Sequence, residues 1–294
     1  MVGTVTAVGA SVAGFAVGDA AGVGTMVGSC GGCAACAASE EQFCSGAGGA
    51  VYTYGSVDAR HKADGPTQGG YSSHIVVDQR FALRFPAALD RAAGAPLLCA
   101  GITVYSPLRH FRLDQPGQRI GVVGLGGLGH MAVKFVKAFG GHCTVISTSP
   151  AKEAEAKAGL GADAFLVSKD AAAMAAAAGS LDGIIDTVSA SHSLDALLAL
   201  LATDGKLVLV GLPPGGNTVS AGALVSHRRT VAGSLVGGVR ETQEMLDFCA
   251  ERGIAADVEV VTGDAANGAW ARMLAGDVRY RFVLDVAGTP ELQL

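Results

Sequence analysis

Four of the seven cysteines lie within fifteen residues, in the spacing Cys-x2-Cys-x2-Cys-x7-Cys. They are Cys30, Cys33, Cys36 and Cys44. Four thiolates on one short segment can close a tetrahedral zinc site with Zn–S distances of about 2.3 Å and no open position, which is the structural type. The alternative is a pair of disulfides, which is the less common use of cysteine in a cytosolic chain. The spacing therefore predicts a structural zinc site.

The other three cysteines stand apart from this group. Cys143 begins an apolar segment and Cys249 lies in a helical pattern, so both are predicted to be packed residues. Cys99 lies in the sequence Leu-Leu-Cys-Ala-Gly-Ile-Thr, beside the predicted junction of two domains, where a cofactor and a substrate would meet. Taken alone, Cys99 fits either a buried thiol or a metal ligand.

A glycine motif supplies the second candidate site. The run comprises Gly124, Leu125, Gly126, Gly127, Leu128 and Gly129. It follows a predicted strand and opens a predicted helix, which is the context that the G-x-G-x-x-G dinucleotide fingerprint requires. The first glycine permits the turn, the second lets the backbone approach a pyrophosphate, and the third lets the helix pack closely on the strand. The alternative is an ordinary turn in a glycine-rich protein.

The residues after the next predicted strand discriminate between NAD and NADP. Sites for NAD place Asp or Glu about 20 residues past the glycines, where it accepts from the ribose hydroxyls. Here no acid occurs before Glu153, and the segment contains Ser147, Thr148, Ser149 and Lys152. Hydroxyl donors and a cation suit a 2′-phosphate, which a carboxylate would repel. NADP is therefore favoured, and the alternative is a turn in which Ser or Thr caps a helix.

The elements that must position these residues follow from hydrophobic periodicity. From about residue 117, apolar strands are predicted at 119–123, 143–148, 165–168, 183–188, 206–212 and 230–236. Helices are predicted between most of them, at 128–139, 151–160, 171–178 and 192–202. Strands that alternate with helices and are apolar on both faces predict an α/β fold with a doubly wound parallel sheet, of the Rossmann type.

The rest of the chain has a different pattern. Up to about residue 84, short β-like runs at 2–8, 21–27 and 73–77 are separated by glycines, which is typical of an irregular barrel. After the six sheet strands come a helix at 241–252, a strand at 257–261, a helix near 269–274 and a strand at 280–286. We expect these last elements to rejoin the first domain. The predicted domains are therefore 1–99 with 238–294, and 100–237.

Composition excludes several classes of protein. The 294 residues suffice for two domains, and a chain that is 50% hydrophobic and 16% charged is not disordered. A net charge of -5 disfavours binding to nucleic acid or acidic lipid. Residues 1–18 carry no charge, but their glycines, their strand-like alternation and the lack of a basic n-region argue against a membrane span or a signal peptide. The cytoplasm is the default location.

The sequence resembles the zinc-dependent medium-chain alcohol dehydrogenases, specifically their cinnamyl alcohol dehydrogenase branch. The resemblance extends over nearly the whole chain and is carried by the cysteine group and by residues 69–72, 98–105, 124–130, 182–187 and 241–245. It implies a GroES-like first domain, a homodimer formed through the cofactor domain, and NADP(H)-dependent interconversion of primary alcohols and aldehydes.

The resemblance also implies roles for individual residues. Cys99 matches a catalytic zinc ligand, and Thr103 lies near the nicotinamide. The NADP contacts are matched by the glycine run, by Ser147 to Lys152, and by Thr187, Gly211, Ser234, Leu235 and Val236.

The chain departs from the family at its beginning. The family's catalytic zinc is also held by a cysteine and a Gly-His-Glu segment upstream of the strand that here begins at Met1, and that region supplies the hydroxyl of the proton relay. Neither occurs in this sequence, so we expect a chain that lacks its N-terminal segment, through a truncated gene model or an alternative start. Catalytic zinc needs about three protein ligands, and Cys99 is one. His61 and His74 stand outside matching motifs and are predicted to be surface or turn histidines.

The substrate is defined only as a class. Members of the family that act on cinnamyl aldehydes are expected to line their pocket with aromatic side chains, but the matching positions here are Gly49 and Leu235, and Trp270 lies elsewhere. We therefore expect a broad range of primary alcohols or aldehydes. Two other functions stay open. One is a non-catalytic protein that binds NADP and a structural zinc, and the other is a zinc-free reductase of the quinone type, against which the cysteine group argues.

Overall fold

A computed structural model describes residues 1–58 and 65–289 of the chain. It contains two compact units, Met1–Ile102 with Val236–Leu294, and Thr103–Leu235. The division drawn from the sequence, 1–99 with 238–294 and 100–237, stays a prediction. His61, which is predicted to be a surface or turn histidine, lies outside the described residues.

The first unit begins with short strands in small antiparallel sheets. The strands are β1 (Val2–Thr4), β2 (Ala20–Val23), β3 (Met26–Gly28), β4 (Val51–Tyr52), β5 (Tyr54–Val57), β6 (Pro66–Gln68) and β7 (Ala82–Arg84). Strands β1, β2 and β7 form one sheet, while β3 pairs with β4 and β5 with β6. The accompanying helices are the single turns α1 (Ala34–Ala37) and α2 (Arg91–Gly94). This arrangement confirms the irregular, β-rich architecture expected for a GroES-like unit.

Two of the strand predictions in this unit are wrong. The run at 21–27 is divided between β2 and β3, which belong to different sheets. The chain turns at Gly24, whose carbonyl accepts a hydrogen bond from Thr53 Oγ1 at 2.7 Å. Residues 73–77 form no strand, and Val76 is fully exposed. An apolar run gains β-structure mainly by burying one face, and this run has no buried face.

The long helix α3 (Ala100–His110) was not predicted from the sequence. Residues 101–108 are all buried, so the helix shows no period of 3.6 between apolar and polar positions. Gly101 and Pro107 are also weak helix formers. At Gly101 an added Cβ would lie 3.2 Å from the side chains of Leu97 and Met245, which shows how closely the helix packs.

The second unit is built on a parallel six-stranded sheet. Its strands are β8 (Arg119–Val123), β9 (His142–Ser147), β10 (Ala164–Val167), β11 (Leu181–Asp186), β12 (Leu201–Leu209) and β13 (Thr230–Gly233). Their order in space is β10-β9-β8-β11-β12-β13, which is the doubly wound order 3-2-1-4-5-6. Side chains such as Ile120, Val122 and Ile184 are completely buried. The predicted Rossmann fold is confirmed, and with it all six predicted sheet strands to within a few residues.

Helices follow most of these strands. They are α4 (Gly129–Ala138), α5 (Ala171–Ala176), α6 (Leu194–Leu200) and α7 (Ala221–Val225). The predicted helix at 151–160 is instead a 3-10 turn, Pro150–Lys152, followed by a π-helical turn, Glu155–Gly159. Gly159 and Gly161, the latter at φ +77°, disfavour a regular helix there.

The end of the chain returns to the first unit. It comprises α8 (Val239–Arg252), β14 (Val258–Val261), α9 (Ala266–Leu274) and β15 (Arg281–Leu284), and β14 and β15 pair in parallel. Helix α8 is followed by its capping residue Gly253, which has the left-handed conformation that favours glycine. Among the helices of the described residues, none combines the length and the hydropathy that a bilayer span requires.

Candidate metal centre and nucleotide site

The four cysteine sulphurs of residues 30–44, the cysteine segment, lie together in the first unit. The Sγ atom of Cys36 is 3.9 Å from that of Cys30 and 3.5 Å from that of Cys33, and the Sγ atoms of Cys33 and Cys44 are 4.0 Å apart. A zinc ion with Zn–S bonds of about 2.3 Å requires tetrahedron edges of about 3.8 Å. All four cysteines are free thiols, so the segment has the geometry of a closed zinc site rather than of disulfides.

Backbone amides favour the thiolate form of two of these cysteines. The N–H groups of Gly32 and Cys33 donate to Cys30 Sγ at 3.4 and 3.3 Å, and they lower the pKa of Cys30. Backbone hydrogen bonds from Cys36 and Ser45 lower the pKa of Cys33 to about 5. Burial raises the pKa of Cys36 to about 11, which a bound cation would reverse. Metal ligation needs thiolates, so the lowered pKa values of Cys30 and Cys33 favour metal binding.

A glycine beside the cysteine segment leaves room for the sulphurs. At Gly46 an added Cβ would lie 2.3 Å from Cys30 Sγ and 2.6 Å from Cys30 Cβ, closer than side-chain atoms approach. Any larger residue at position 46 would displace Cys30 from the group. The cysteines predicted from spacing alone are therefore brought together, and Gly46 is a supporting residue that the spacing did not reveal.

The cysteine segment is joined to the start of helix α8. Glu41 Oε2 accepts a hydrogen bond from the Val239 amide at 3.0 Å, and Gly238, the N-cap, supplies no side chain. An added Cβ at Gly238 would lie 1.8 Å from the carbonyl oxygen of Ser39. A carboxylate at a helix N-terminus satisfies a free N–H group and interacts favourably with the helix dipole. Glu41 therefore caps a helix that lies 198 residues further along the chain, a contact that no local sequence signal reveals.

Replacing Glu41 with alanine is expected to destabilise the protein by about 1 kcal/mol, the usual value of a helix cap. Glu41→Gln keeps an oxygen acceptor without the charge, so a smaller loss is expected. Urea unfolding measures the free energies, and zinc content should stay unchanged. The matched control is Glu40→Ala, because the Glu40 side chain is exposed and does not cap its own 3-10 turn. Equal free energies of unfolding for Glu41→Ala and Glu40→Ala would contradict the capping role.

The glycine turn of the second unit has the shape that dinucleotide binding requires. Gly124 follows β8 with φ +88°, a conformation that favours glycine. An added Cβ at Gly129 would lie 2.1 Å from the carbonyl oxygen of Gly124, so only glycine lets α4 begin there. At Gly126 an added Cβ would meet nothing within 4 Å. The turn therefore leaves open the space that a pyrophosphate is expected to fill.

Other predicted cofactor residues lie beside this turn. Strands β8 and β11 are neighbours where the strand order reverses, and ligands of open α/β sheets bind outside the carboxyl ends of the strands at that point. Thr187 donates to the carbonyl of Val123 from its amide at 3.1 Å and from Oγ1 at 2.7 Å. The amide of Gly211 donates to the carbonyl of Asp186 at 3.1 Å. The sheet thus brings Thr187 and Gly211 to the carboxyl ends of its strands, where Gly124 also lies.

The segment predicted to hold the 2′-phosphate also reaches the turn. Ser147 is buried at the end of β9, and its Oγ accepts from the Ser149 amide at 3.2 Å, while Thr148 is exposed. The Nζ atom of Lys152 donates to the carbonyl of Leu125 at 2.8 Å. Ser149 precedes the 3-10 turn without a side-chain capping bond, so the alternative of a Ser helix cap is not observed there. The structure places a cation against the glycine turn.

Cys99 and Thr103 lie on either side of the start of α3. Cys99 follows the 3-10 turn Ala95–Leu98 and is exposed, so the alternative of a buried thiol is wrong. Thr103 is buried. Within residues 1–58 and 65–289, the cysteine segment provides the one group of three or more His, Cys, Asp or Glu side chains that could hold a metal, and Cys99 is not in it. The described residues therefore do not complete a catalytic zinc site around Cys99.

Several of the predictions for other residues are confirmed. Cys143 and Cys249 are buried, and burial raises the pKa of each thiol to about 12, as expected for packed cysteines. His74 is exposed.

The backbone of Val236 has an unusual conformation that was not predicted from the sequence. It is buried and has φ +43°, which is an outlier for a β-branched residue. The next residue, Gly237, lies so close to Ile102 that an added Cβ would be 2.6 Å from Ile102 Cγ1. Such strain persists only where the surrounding structure enforces it, and it is concentrated at functional sites.

Comparison with known proteins agrees with the fold. The model of the zinc-binding dehydrogenase family matches residues 127–251, and that of the alcohol dehydrogenase GroES-like domain matches residues 1–87. Together with the strand order, these matches define a dehydrogenase that has a GroES-like unit and a Rossmann unit.

Individual relatives cover almost the whole chain. A probable mannitol dehydrogenase of Mesembryanthemum crystallinum is 54% identical over 98% of this chain and 78% of its own length. A cinnamyl alcohol dehydrogenase structure from Sorghum bicolor has a TM-score of 0.95 and 52% identity, over 98% of this chain and 80% of its own. The CAD of Helicobacter pylori, solved in complex with NADP(H), has a TM-score of 0.89 and 36% identity, over 98% of this chain and 81% of its own. The chain belongs to the zinc-dependent medium-chain alcohol dehydrogenases, in their cinnamyl alcohol dehydrogenase branch.

Proposed function

We propose that this chain binds NADP(H) in its second unit and one structural zinc in its first, and that it interconverts primary alcohols and aldehydes. The observation that carries the proposal is the glycine turn with Lys152 Nζ held 2.8 Å from the carbonyl of Leu125. The crystallised CAD of Helicobacter pylori contains NADP(H), which supports the same cofactor here. The proposed cofactor contacts are Thr103, Gly124, Leu125, Gly126, Gly127, Leu128, Gly129, Ser147, Thr148, Ser149, Lys152, Thr187, Gly211, Ser234, Leu235 and Val236.

Electrostatics decide between the two nicotinamide cofactors. The segment from Ser147 to Lys152 contains no carboxylate. Two unit charges 4 Å apart interact by about 4 kcal/mol at an effective dielectric constant of 20, so a carboxylate there would repel a 2′-phosphate and an ammonium would attract it. Hydroxyl groups of Ser147, Thr148 and Ser149 add donors for the phosphate oxygens. The segment therefore favours NADP(H) over NAD(H).

When bound, the nicotinamide supplies or accepts the hydride, and a catalytic zinc would polarise the oxygen of the substrate. The chain's own residues bind and orient these groups. Gly126 leaves room for the pyrophosphate, and the positive end of the α4 helix dipole favours its negative charge. Thr103, buried on α3, is proposed to lie beside the nicotinamide. Cys30, Cys33, Cys36 and Cys44 are the proposed ligands of the structural zinc, and Cys99 is a proposed ligand of the catalytic zinc.

The substrate is proposed only as a class. The printed names of the relatives differ, since one is a probable mannitol dehydrogenase and another a cinnamyl alcohol dehydrogenase. At the positions expected to line the pocket, Gly49 has no side chain and Leu235 is 38% exposed. These positions provide no aromatic surface to select a cinnamyl ring. A broad range of primary alcohols and aldehydes is the proposal that fits them.

A second candidate function is a non-catalytic protein that binds NADP(H) and a structural zinc. The position of Cys99 outside any group of three metal-binding side chains favours it, within the ranges that the structure describes. Zinc analysis and turnover of cinnamaldehyde with NADPH separate the two candidates. Two zinc ions per chain with turnover support the dehydrogenase. One zinc ion and no turnover support the binding protein.

The cofactor proposal predicts that NADPH binds at least tenfold more tightly than NADH, measured by the change in nucleotide fluorescence. Lys152→Ala is expected to remove most of this preference, because it removes the cation next to the glycine turn. The matched control is Lys157→Ala, since Lys157 lies in the neighbouring turn and pairs with Glu153 at 2.8 Å. Failure to bind either nucleotide would refute the proposal. An unchanged preference in Lys152→Ala would refute the role of that lysine.

We also propose a homodimer formed through the second unit, and a cytoplasmic location. Strand β13 is the last strand of the parallel sheet, and an edge strand offers unpaired N–H and C=O groups to a second copy. The free cysteines fit a reducing compartment. The net charge of -5 disfavours binding to nucleic acid or to acidic lipid.

A further inference from the structure

A buried carboxylate and a histidine lie together at the carboxyl end of β11. Asp186 ends the strand, and its side chain is 3% exposed. Its Oδ2 atom is 2.8 Å from Nε2 of His192, and its Oδ1 atom accepts from the Val188 amide at 3.1 Å. The other ring nitrogen, Nδ1, is 2.8 Å from the carbonyl oxygen of Ala190. The Asp186 carboxyl group and the His192 ring therefore link the first and last residues of the segment 186–192.

Both partners of the His192 ring are hydrogen-bond acceptors. A carboxylate and a carbonyl both accept hydrogen bonds, so both ring nitrogens of His192 face acceptors. Burial raises the pKa of Asp186, whereas the Val188 amide and His192 oppose that rise. Two hydrogen bonds to the Asp186 carboxyl group and one between the ring and the Ala190 carbonyl thus close the segment.

The closed segment lies against two glycines of the nucleotide site. An added Cβ at Gly124 would be 3.0 Å from Val188 Cγ2, and one at Gly211 would be 2.3 Å from the Val188 carbonyl oxygen. Val188 is thus held between two of the predicted cofactor glycines, and its amide is bound by Asp186. Ser189 Oγ also accepts from the Leu212 amide at 3.3 Å. A change in the position of residues 187–191 would alter the space on the nucleotide side of both glycines.

We propose that Asp186 and His192 are a positioning pair that holds residues 187–191 against Gly124 and Gly211 in the geometry that binds the dinucleotide. The pair acts through Val188, whose amide Asp186 binds. This inference rests on the proposed NADP(H) function and deepens it. It assigns the positioning of the nucleotide-site backbone at residues 187–191 to two side chains outside the glycine motif.

Three variants test the pair. His192→Leu removes both ring hydrogen bonds and is expected to raise the dissociation constant for NADPH about tenfold. Asp186→Asn keeps the geometry without the charge, because the Asn amide can donate to Nε2 while Nδ1–H still reaches Ala190. Its affinity is expected to stay within twofold of the wild type. The control is His227→Leu, an exposed histidine of the same unit, which should bind as the wild type does. His192→Gln keeps a donor toward Asp186 and is expected to be intermediate.

The results separate this inference from the proposed function. An affinity of His192→Leu within twofold of the wild type would overturn the pair, and so would equal losses in His192→Leu and Asp186→Asn. If His192→Leu does not fold, His192→Gln provides the test. An NADPH affinity of His192→Gln equal to that of the wild type would then overturn the inference. Failure of the wild type to bind NADPH would refute the proposed function. Hydrogen exchange would still test the pair. The amides of residues 187–191 should exchange faster in the His192 variants than in Asp186→Asn. Equal exchange rates in these variants would overturn the inference.

Discussion

Replacing Gly129 with alanine is expected to abolish NADPH binding and to destabilise the protein by about 3 kcal/mol, the upper part of the range for overpacked sites. The added Cβ would lie 2.1 Å from the carbonyl oxygen of Gly124. That backbone has little freedom to move, because the Gly124 amide donates to the carbonyl of Ile146 at 2.9 Å. Helix α4 would have to shift away from β8, which removes its N-terminus from the pyrophosphate. Urea unfolding and NADPH fluorescence measure the two effects.

Gly126→Ala is the matched control for this prediction. An added Cβ at Gly126 meets nothing within 4 Å, so the free energy of unfolding should change by less than about 0.5 kcal/mol. Binding should nevertheless weaken, because the methyl group occupies the space expected for the pyrophosphate. Equal stabilities of the two variants would refute the packing argument. Wild-type affinity in Gly126→Ala would refute the position of the pyrophosphate.

Loss of one cysteine of the cysteine segment is the second large effect. Cys33→Ser is expected to lose the zinc and at least about 4 kcal/mol of stability, because structural zinc contributes about 10–16 kcal/mol to the folding of zinc-finger peptides. At roughly 2–4 °C per kcal/mol, the melting temperature should fall by about 10 °C. Zinc analysis by atomic emission and a thermal melt measure the two quantities. A strong chelator should have the same effect on the wild-type protein.

Cys249→Ala is the control for this experiment. Cys249 is buried on α8 with its Sγ atom 3.7 Å from Met245 Sδ, far along the chain from the four clustered cysteines. Its replacement should cost packing energy of about 1 kcal/mol, the average for a point substitution, and leave one structural zinc in place. Full zinc content in Cys33→Ser, or zinc loss in Cys249→Ala, would contradict the assignment of the site.

The sequence predicts those parts of the fold whose signals are local. Each of the six strands of the parallel sheet contains an apolar run, and the glycine turn and the cysteine spacing are short motifs. Helix α3 was missed because it is buried on every side and so shows no amphipathic period. Residues 73–77 were wrongly predicted as a strand because an apolar run does not reveal whether anything covers it.

The supporting residues of both sites are harder to predict. Glu41 caps a helix whose first residue is 198 positions away, and only the tertiary structure shows the contact. His192 follows Asp186 by six residues with no regular element between them, so neither period nor spacing marks it as a partner. The motifs thus identify the groups that would touch a metal or a nucleotide, whereas the residues that position these groups depend on long-range packing.

The bond between Glu41 and Val239 has a consequence for how the protein is made. Its two partners are 198 residues apart, and the whole Thr103–Leu235 unit lies between them. At ribosomal speeds of 5–20 residues per second, about 10–40 s pass between synthesis of the first partner and of the second. During that time the four thiols of the cysteine segment lack the helix that Glu41 caps. Metal capture during translation would therefore protect this stretch of the growing polypeptide before its own C-terminal half exists.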